Sequence, residues 1–169
     1  FCDVKTGKPG SLDWEEPKRV AESVNTMGLS HAVITSVNRD DLNDGGSLFF
    51  AETIREVKKF NNGCDVEVLI PDFKGDRIAI NNIIEASPEV INHNLETVPR
   101  LQREIRTSAS YGRSLSLLHY VKSQGFEGKT KTGLIVGMGE SKEEVIAVLK
   151  DISKLDVDIV TIGQYLRPT

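Results

Sequence analysis

The sequence has only two cysteines and no long hydrophobic run, and each absence excludes a class of protein. Cys2 and Cys64 are too few for a disulfide framework, and Cys64 is expected to be an inert, partly buried thiol. No apolar stretch approaches the ~20 residues of a membrane-spanning helix, so no membrane partner is expected. The net charge of −4 argues against nucleic acid as the main partner, because phosphate binding favours basic patches.

Linkers and low-complexity tracts are also missing, so residues 1–169 are expected to form a single domain. The content of 38% hydrophobic and 27% charged residues is ordinary for a globular protein. The chain begins with Phe1 rather than Met and stops directly after a predicted strand. We therefore expect a fragment that is truncated at both ends and lacks part of the chemistry.

Short apolar runs alternate with longer amphipathic segments, a pattern that predicts parallel βα units. The predicted strands cover residues 32–36, 66–70, 90–93, 132–136 and 158–162. The predicted helices cover residues 16–27, 47–61, 76–86, 112–123 and 141 to about 155, the last one starting at a Ser141–Glu144 capping box. An eight-unit barrel needs about 250 residues, so the pattern alone leaves a partial barrel and an open sheet as alternatives.

Polar residues follow every predicted strand, at residues 35–41, 71–72, 92–96, 137–140 and 163–165. The carboxyl ends of parallel strands meet at one edge of the sheet, where α/β enzymes bind their ligands. This repeated arrangement predicts an enzyme core with its site at that edge.

The loop after the first strand contains three aspartates and the pair Gly45 and Gly46. Glycines let backbone amides approach a ligand, and carboxylates such as Asp44 can accept hydrogen bonds from an ammonium or a ribose. A metal site suits the same residues, and a turn that caps the next helix is the structural alternative.

Further candidates follow the third strand. His93 and Glu96 could form an acid/base pair or hold a metal, although a lone histidine at a strand end is commonly structural. Asn94 and Glu96 are expected to bind a ligand. Among the downstream arginines, Arg106 is the preferred ligand for a carboxylate or phosphate because small residues follow it; a solvated helix face is the alternative.

Two glycine-containing turns complete the candidate edge. Gly137 opens a turn that is neither a Walker loop nor a dinucleotide fingerprint, and it either approaches an adenine or ribose closely or makes a tight turn. Gln164 and Tyr165 are expected at the same edge, as ligand contacts or as caps of the barrel mouth.

Several of these segments together resemble the lipoyl synthases, a family of radical S-adenosylmethionine enzymes. The resemblance covers almost the whole chain in order, and the joint occurrence of the segments is highly specific. It is carried by residues 1–4, 35–37, 39–42, 44–46, 93–97, 109–111 and 161–168.

The resemblance implies a partial (β/α)6 TIM-like barrel, S-adenosylmethionine and two 4Fe-4S clusters. In this family one cluster cleaves S-adenosylmethionine to a 5′-deoxyadenosyl radical, which removes hydrogens from carbons 6 and 8 of a protein-bound octanoyl chain. The auxiliary cluster supplies the sulfur. The implied partners are an octanoylated carrier domain and an electron donor such as ferredoxin or flavodoxin. The carrier is the E2 component of a 2-oxoacid dehydrogenase or the glycine cleavage H protein.

The resemblance also assigns roles to individual residues. Cys2 matches the last cysteine of the family's C-x-x-x-C-x-x-C cluster motif, and Phe1 is expected to pack near the adenine. Asp44-Gly45-Gly46 falls near the methionine amino group, although Ser47 replaces the glutamate of the wider superfamily. The remaining cofactor-binding assignments are Asn94 and Glu96 for the ribose and methionine end, Arg106 for the carboxylate, and Gly137, Gln164 and Tyr165 for the adenosine pocket. Ser36 is also expected to bind the cofactor.

Departures from the family pattern limit the expected activity. The other cysteines of both clusters and a C-terminal Arg-Ser-Ser-Tyr segment are absent, so this chain alone is expected to hold no stable cluster and to be inactive. The expected compartment is a bacterial cytoplasm, or a mitochondrial matrix if a transit peptide was removed. Two alternatives stay open: another radical S-adenosylmethionine enzyme, and a nucleotide-binding module without a cluster.

Overall fold

The computed structural model describes residue 7 and residues 9–167. Five strands alternate with helices along the chain: β1 (His31–Thr35), β2 (Asp65–Leu69), β3 (Val90–Asn92), β4 (Lys129–Val136) and β5 (Ile159–Gln164). The helices are α1 (Glu16–Thr26), α2 (Ser47–Phe60), α3 (Arg77–Glu85), α4 (Gln102–Ile105), α5 (Tyr111–Ser123) and α6 (Lys142–Ser153). Single 3-10 turns lie at Phe73–Gly75 and Pro99–Leu101. No helix in this part of the chain is long and apolar enough to cross a membrane.

All strand pairs are parallel, and the sheet follows chain order from β1 to β5. Sequential parallel strands joined by helices are the arrangement of an α/β barrel wall, so the predicted fold class is confirmed. All five carboxyl ends therefore lie at one edge of the sheet.

One face of the sheet carries the hydrophobic core. Strand residues such as Val66, Val68 and Ile91 pack against apolar residues of α1, α2, α3 and α5, among them Ile54 and Ile83. A second cluster joins Leu95, Leu134 and the α6 residues Val148 and Ile152. Burial of these side chains fixes which face each helix turns toward the sheet.

The opposite face of the sheet is polar. Glu67 of β2 is buried, and its carboxylate accepts from Lys131 Nζ of β4 at 2.8 and 3.1 Å. Asn92 of β3 lies between them and donates to the same carboxylate at 3.1 Å. This group, the Glu67–Asn92–Lys131 network, links three neighbouring strands.

Most predicted boundaries lie within two residues of those in the structure, and the start of β4 differs by three. β4 begins at Lys129 rather than at residue 132. The first residues of this strand are polar and are held by hydrogen bonds rather than by apolar packing, because Thr130 N and Oγ1 donate to Asp158 at 2.7 and 3.0 Å. β5 extends through Gly163 to Gln164, which the sequence placed after the strand. The helical turns at residues 99–105 were not among the predicted helices, although a solvated helix was the alternative for the downstream arginines.

Candidate active site

The turn after β3 places Asn94 and Glu96 at the carboxyl edge of the sheet. Glu96 N donates to Gly133 O at 2.9 Å and Glu96 O accepts from Ile135 N at 2.7 Å, so the chain beyond β3 stays against β4. The backbone of Glu96 has φ +64°, an uncommon left-handed conformation for a residue with a side chain. Burial raises the pKa of the Glu96 carboxyl, while a hydrogen bond from Asn94 and the charge of Arg106 oppose that rise.

Arg106 follows α4 and reaches back to the same turn. Its Nη1 donates to Asn94 O at 3.1 Å and to Leu95 O at 3.3 Å. Burial lowers the pKa of this guanidinium, and the carboxylates of Glu96 and Asp72 act against that shift. The structure therefore brings three predicted site residues, Asn94, Glu96 and Arg106, into one group.

A cavity of about 330 Å³ opens beside this group. Its lining comprises Asn38, Pro71, Asp72, Glu96, Ile105, Arg106, Thr107, Ser108 and Ala109. A carboxylate and a guanidinium thus share one small space, which suits a ligand that carries both an ammonium and a carboxylate.

An ion pair that the sequence analysis missed forms part of this site. Arg113 Nε of α5 donates to Asp72 Oδ2 at 2.6 Å, and Arg113 Nη2 donates to Ser108 O at 2.8 Å. This pair ties the loop after β2 to the segment that follows Arg106. Its signal in the sequence was weak, because Asp72 and Arg113 are far apart in the chain and neither lies in a motif.

The Asp44-Gly45-Gly46 loop has the geometry of a helix cap. Asp44 accepts from Gly46 N at 3.1 Å, Leu48 N at 2.9 Å and Ser47 Oγ at 3.3 Å. Burial favours a higher pKa for the Asp44 carboxyl, but these three hydrogen bonds hold it below its usual value. Gly45 has φ +61°, and a Cβ there would lie 2.9 Å from the ring of Phe73. The loop therefore packs closely on the loop after β2.

Ser36 lies apart from the Glu96 cavity. Its hydroxyl donates to Val37 O at 2.9 Å. Together with Gly46 it lines a second cavity of about 340 Å³ between β1 and α2, which Phe49, Phe50 and Val20 make partly apolar. The structure thus separates Ser36 from Asn94, Glu96 and Arg106.

Gly137 and Tyr165 are neighbours at the ends of β4 and β5. Tyr165 N donates to Val136 O at 2.8 Å, and a Cβ on Gly137 would lie 3.9 Å from Tyr165 Cβ. Glu140 folds back over this turn and accepts from the amides of Gly137 and Met138. Gln164 is the last residue of β5, in register with Val136. Strand alternation therefore places Gln164 on the same face of β5 as Ile162.

His93 is a structural residue, which decides between the two alternatives that the sequence left open. It is 1% exposed, its Nδ1 lies 2.9 Å from Ile70 O, and its Nε2 lies 2.8 Å from Ser114 Oγ. A carbonyl oxygen only accepts, so Nδ1 donates to Ile70 and Nε2 accepts from Ser114. Neither nitrogen is free to bind a metal or a substrate.

Of the two cysteines, only Cys64 lies within the described residues. Phe1 and Cys2 lie outside the described residues. Cys64 precedes β2 at the opposite edge of the sheet from Glu96, and burial raises the pKa of its thiol, as do Asp65 and Glu89. Among the residues that the structure describes, no three His, Cys, Asp or Glu side chains are arranged to hold a metal ion.

The comparison with known families defines the class of protein. Residues 1–152 match the radical SAM superfamily. The chain belongs to this superfamily, whose members use S-adenosylmethionine and a 4Fe-4S cluster.

Within that class, proteins named lipoyl synthase are similar along the full chain. The protein of Rubrobacter xylanophilus is 57% identical over 169 residues, which are 53% of its length. The lipoyl synthase of Flavobacterium johnsoniae is 52% identical and that of Nematostella vectensis, named as mitochondrial, is 53% identical; the chain covers 58% of each. The chain thus spans little more than half the length of these curated relatives.

Solved structures support the fold alone. Methylornithine synthase superposes with a TM-score of 0.75 at 21% identity, covering 93% of this chain and 45% of the other. HydG, a maturase of the FeFe-hydrogenase, gives a TM-score of 0.76 at 17% identity, with 97% and 38% covered. The partial α/β barrel is therefore the fold of this chain.

Proposed function

We propose that this chain is the S-adenosylmethionine-binding core of a lipoyl synthase, which inserts sulfur at carbons 6 and 8 of a protein-bound octanoyl chain. The observation that carries the proposal is the cavity at the carboxyl edge of the sheet, whose lining includes the Glu96 carboxylate and the Arg106 guanidinium. Identities of 52–57% to proteins named lipoyl synthase favour this activity over that of another radical SAM enzyme.

The charges of the cavity fit the methionine end of S-adenosylmethionine. The ligand's ammonium would pair with the Glu96 carboxylate, and its carboxylate with the Arg106 guanidinium. Arg106 uses only Nη1 for the backbone, and its other N–H groups make no hydrogen bond within residues 9–167. An approaching ammonium lowers the raised pKa of Glu96 and so favours the ionised form that binds it. Asn94 acts in the same direction, because it lowers the pKa of the Glu96 carboxyl.

The other predicted site residues have supporting roles in the proposal. Gly137 and Tyr165 adjoin each other at the ends of β4 and β5, where an adenosine could lie across the edge. We assign Gln164 to the margin of that pocket. Asp44 already accepts three hydrogen bonds, so we expect this loop to contact the ligand through backbone atoms of Gly45 and Gly46. Ser36 is proposed to line the outer side of the same loop.

We assign the radical-generating 4Fe-4S cluster to Cys2, with Phe1 beside the adenine, because Cys2 matches the last cysteine of the C-x-x-x-C-x-x-C motif of the lipoyl synthases. When bound, the cluster supplies the electron that cleaves S-adenosylmethionine. A thiolate is the usual ligand of such a cluster, and Cys64 is excluded by its burial and by its position at the far edge. A second cluster is proposed for the whole protein as the source of sulfur.

Partners and compartment follow from the proposed activity. The substrate would be an octanoylated carrier domain, either the E2 component of a 2-oxoacid dehydrogenase or the glycine cleavage H protein. Ferredoxin or flavodoxin would donate the electron. Relatives occur in bacteria and, in Nematostella vectensis, under a mitochondrial name, so we propose the bacterial cytoplasm or the mitochondrial matrix.

The test is the affinity of the complete, cluster-loaded protein for S-adenosylmethionine. We expect Glu96→Gln and Arg106→Lys each to raise the dissociation constant by roughly tenfold or more, because each removes a charge-assisted contact. Glu127→Gln and Arg55→Lys are matched controls, since both residues are exposed and lie away from the carboxyl edge. Unchanged affinity in both site variants would contradict the proposed site, and release of 5′-deoxyadenosine without a lipoyl product would favour another radical SAM enzyme.

A further inference from the structure

The turn that carries Glu96 is strained. Thr97 N donates to Leu95 O at 2.8 Å, which is the hydrogen bond of a γ-turn centred on Glu96. With φ +64° at its centre, this is the rare form of the γ-turn. Such backbone persists only where surrounding contacts over-determine it, and it concentrates at functional sites.

Gln102 supplies the contacts that hold this turn. Its Nε2 donates to Leu95 O and to Thr97 O, both at 2.9 Å, and these two carbonyls flank Glu96. Gln102 and Arg106 are four residues apart at α4, so their side chains lie on one side of the helical turn. Arg106 Nη1 donates to Asn94 O and Leu95 O, so the two side chains together bind three carbonyls, those of Asn94, Leu95 and Thr97.

Gln102 does not contact the cavity itself. It is 5% exposed and absent from the lining of the Glu96 cavity. Its Oε1 is buried without a hydrogen-bond partner in the described part of the chain. A buried, unpartnered amide oxygen is destabilising, so the fold alone would favour an apolar side chain of the same size here. Gln102 is therefore needed here for its two Nε2 N–H groups, which donate to Leu95 O and Thr97 O.

We propose that Gln102 is a positioning residue: it fixes the Leu95–Glu96–Thr97 turn so that the Glu96 carboxylate faces the cavity. This inference rests on the proposed function, because it takes Glu96 as a contact of S-adenosylmethionine. Gln102 acts through the backbone on either side of Glu96 and touches no substrate.

The experiment compares Gln102→Met with Gln124→Met in the complete protein. Methionine has nearly the same length as glutamine but donates no hydrogen bond. Gln124 is exposed at the end of α5 and serves as the matched control. The first readout is amide hydrogen exchange at Thr97 and Ile135, whose N–H groups bond to Leu95 O and Glu96 O. The second readout is the S-adenosylmethionine dissociation constant of the cluster-loaded protein, measured beside Glu96→Gln.

We expect Gln102→Met to speed exchange at Thr97 and Ile135 and to weaken S-adenosylmethionine binding by roughly tenfold, as for two lost hydrogen bonds. Exchange at β2 and the unfolding midpoint should stay near the wild-type values, and Gln124→Met should change nothing. If Glu96→Gln weakens binding and Gln102→Met does not, the positioning role is wrong and the proposed function stands. If neither weakens binding, the positioning role is wrong, and unchanged affinity in Arg106→Lys as well would contradict the proposed site. Faster exchange throughout the sheet would show a general structural role and would also overturn the inference.

Discussion

At the scale of one residue, His93 illustrates how burial sets a protonation state. The ring is 1% exposed, and burial lowers its pKa to about 4. The hydrogen bond to Ile70 O acts in the opposite direction but does not offset the loss of hydration. The folded protein therefore keeps the ring neutral at a pH at which an unfolded chain protonates it.

This difference predicts how stability depends on pH. The folded pKa lies below the unfolded value of about 6.5, so the unfolded state binds more protons between them. The contribution of His93 is fully present above that upper value and is lost as the pH falls toward the lower one. Between pH 7 and pH 5 we expect a loss of about 2 kcal/mol in the free energy of unfolding, measured by urea denaturation.

Two variants isolate this effect from other titrating groups. His93→Gln removes the titration and should flatten the pH dependence over that interval. His119 is exposed on α5, so His119→Gln should keep the wild-type slope. Equal slopes for wild type and His93→Gln would mean that His93 does not titrate as its burial implies.

At the scale of an element, α6 begins with a complete capping box that also supports the neighbouring turn. Ser141 Oγ accepts from Glu144 N at 3.2 Å, and Glu144 Oε2 accepts from Ser141 N at 2.8 Å. Arg100 binds the Glu144 carboxylate and donates from Nη2 to Gly139 O at 2.8 Å. The helix start and the Gly137 turn are therefore one connected unit.

The capping box gives a prediction for stability. Ser141→Ala should lower the free energy of unfolding by about 1 kcal/mol, because the Glu144 amide loses its acceptor. Ser153→Ala at the other end of α6 is the matched control and should change it by less than about 0.5 kcal/mol, since Ser153 Oγ is exposed and bonds only to Lys150 O. Chemical denaturation of both variants checks the difference, and equal losses would show that the cap contributes nothing specific.

The elements that the sequence predicted are those with a local signal. The Ser141–Glu144 spacing predicted the start of α6, and apolar runs predicted all five strands. The turns at residues 99–105 have only a weak signal, a proline at the start and the apolar pair Leu101 and Ile105, because Gln102 and Arg106 direct their side chains to the backbone of another turn. Hydrogen bonds of this kind form only when the tertiary structure brings the two turns together, so no local sequence pattern predicts them.

The same distinction holds in the candidate site. Asn94, Glu96 and Arg106 were predicted from their position after a strand and from their chemistry, and the structure brings them together. The Asp72–Arg113 ion pair joins residues 41 positions apart and was not predicted. Asp44 was predicted as a ligand-binding residue, and its geometry is that of the cap that had been the alternative. Its role toward a ligand remains a prediction.

At the scale of the whole molecule, the sheet has one apolar face and one charged face. Ordinary TIM barrels fill their interior with branched apolar side chains. Here the face away from the helices carries the Glu67–Asn92–Lys131 network, in which the Glu67 side chain is 5% exposed and the Lys131 side chain 21%. The network lies next along the strands from Asn94 and Gly133, on the same face of the sheet. The Glu67–Asn92–Lys131 network is therefore a charged layer that adjoins the proposed site on the same face of the sheet.

A double-mutant cycle measures what the Glu67–Asn92–Lys131 network contributes to the free energy of unfolding. Lys131→Met leaves the buried Glu67 carboxylate without its main partner, so it should lower the free energy of unfolding by about 3 kcal/mol. His31 Nε2 lies 3.6 Å from the same carboxylate and replaces Lys131 only in part. Adding Glu67→Gln removes the uncompensated charge, so the double variant should recover at least half of that loss. Lys129→Met is the matched control, because Lys129 is exposed on the same strand and face and lies 3.9 Å from Asp158; it should change stability by less than about 0.5 kcal/mol. Additive effects of the two single substitutions would show that the two charges do not interact across the sheet. The Glu67–Asn92–Lys131 network would then be a set of independent side chains rather than a link between β2 and β4.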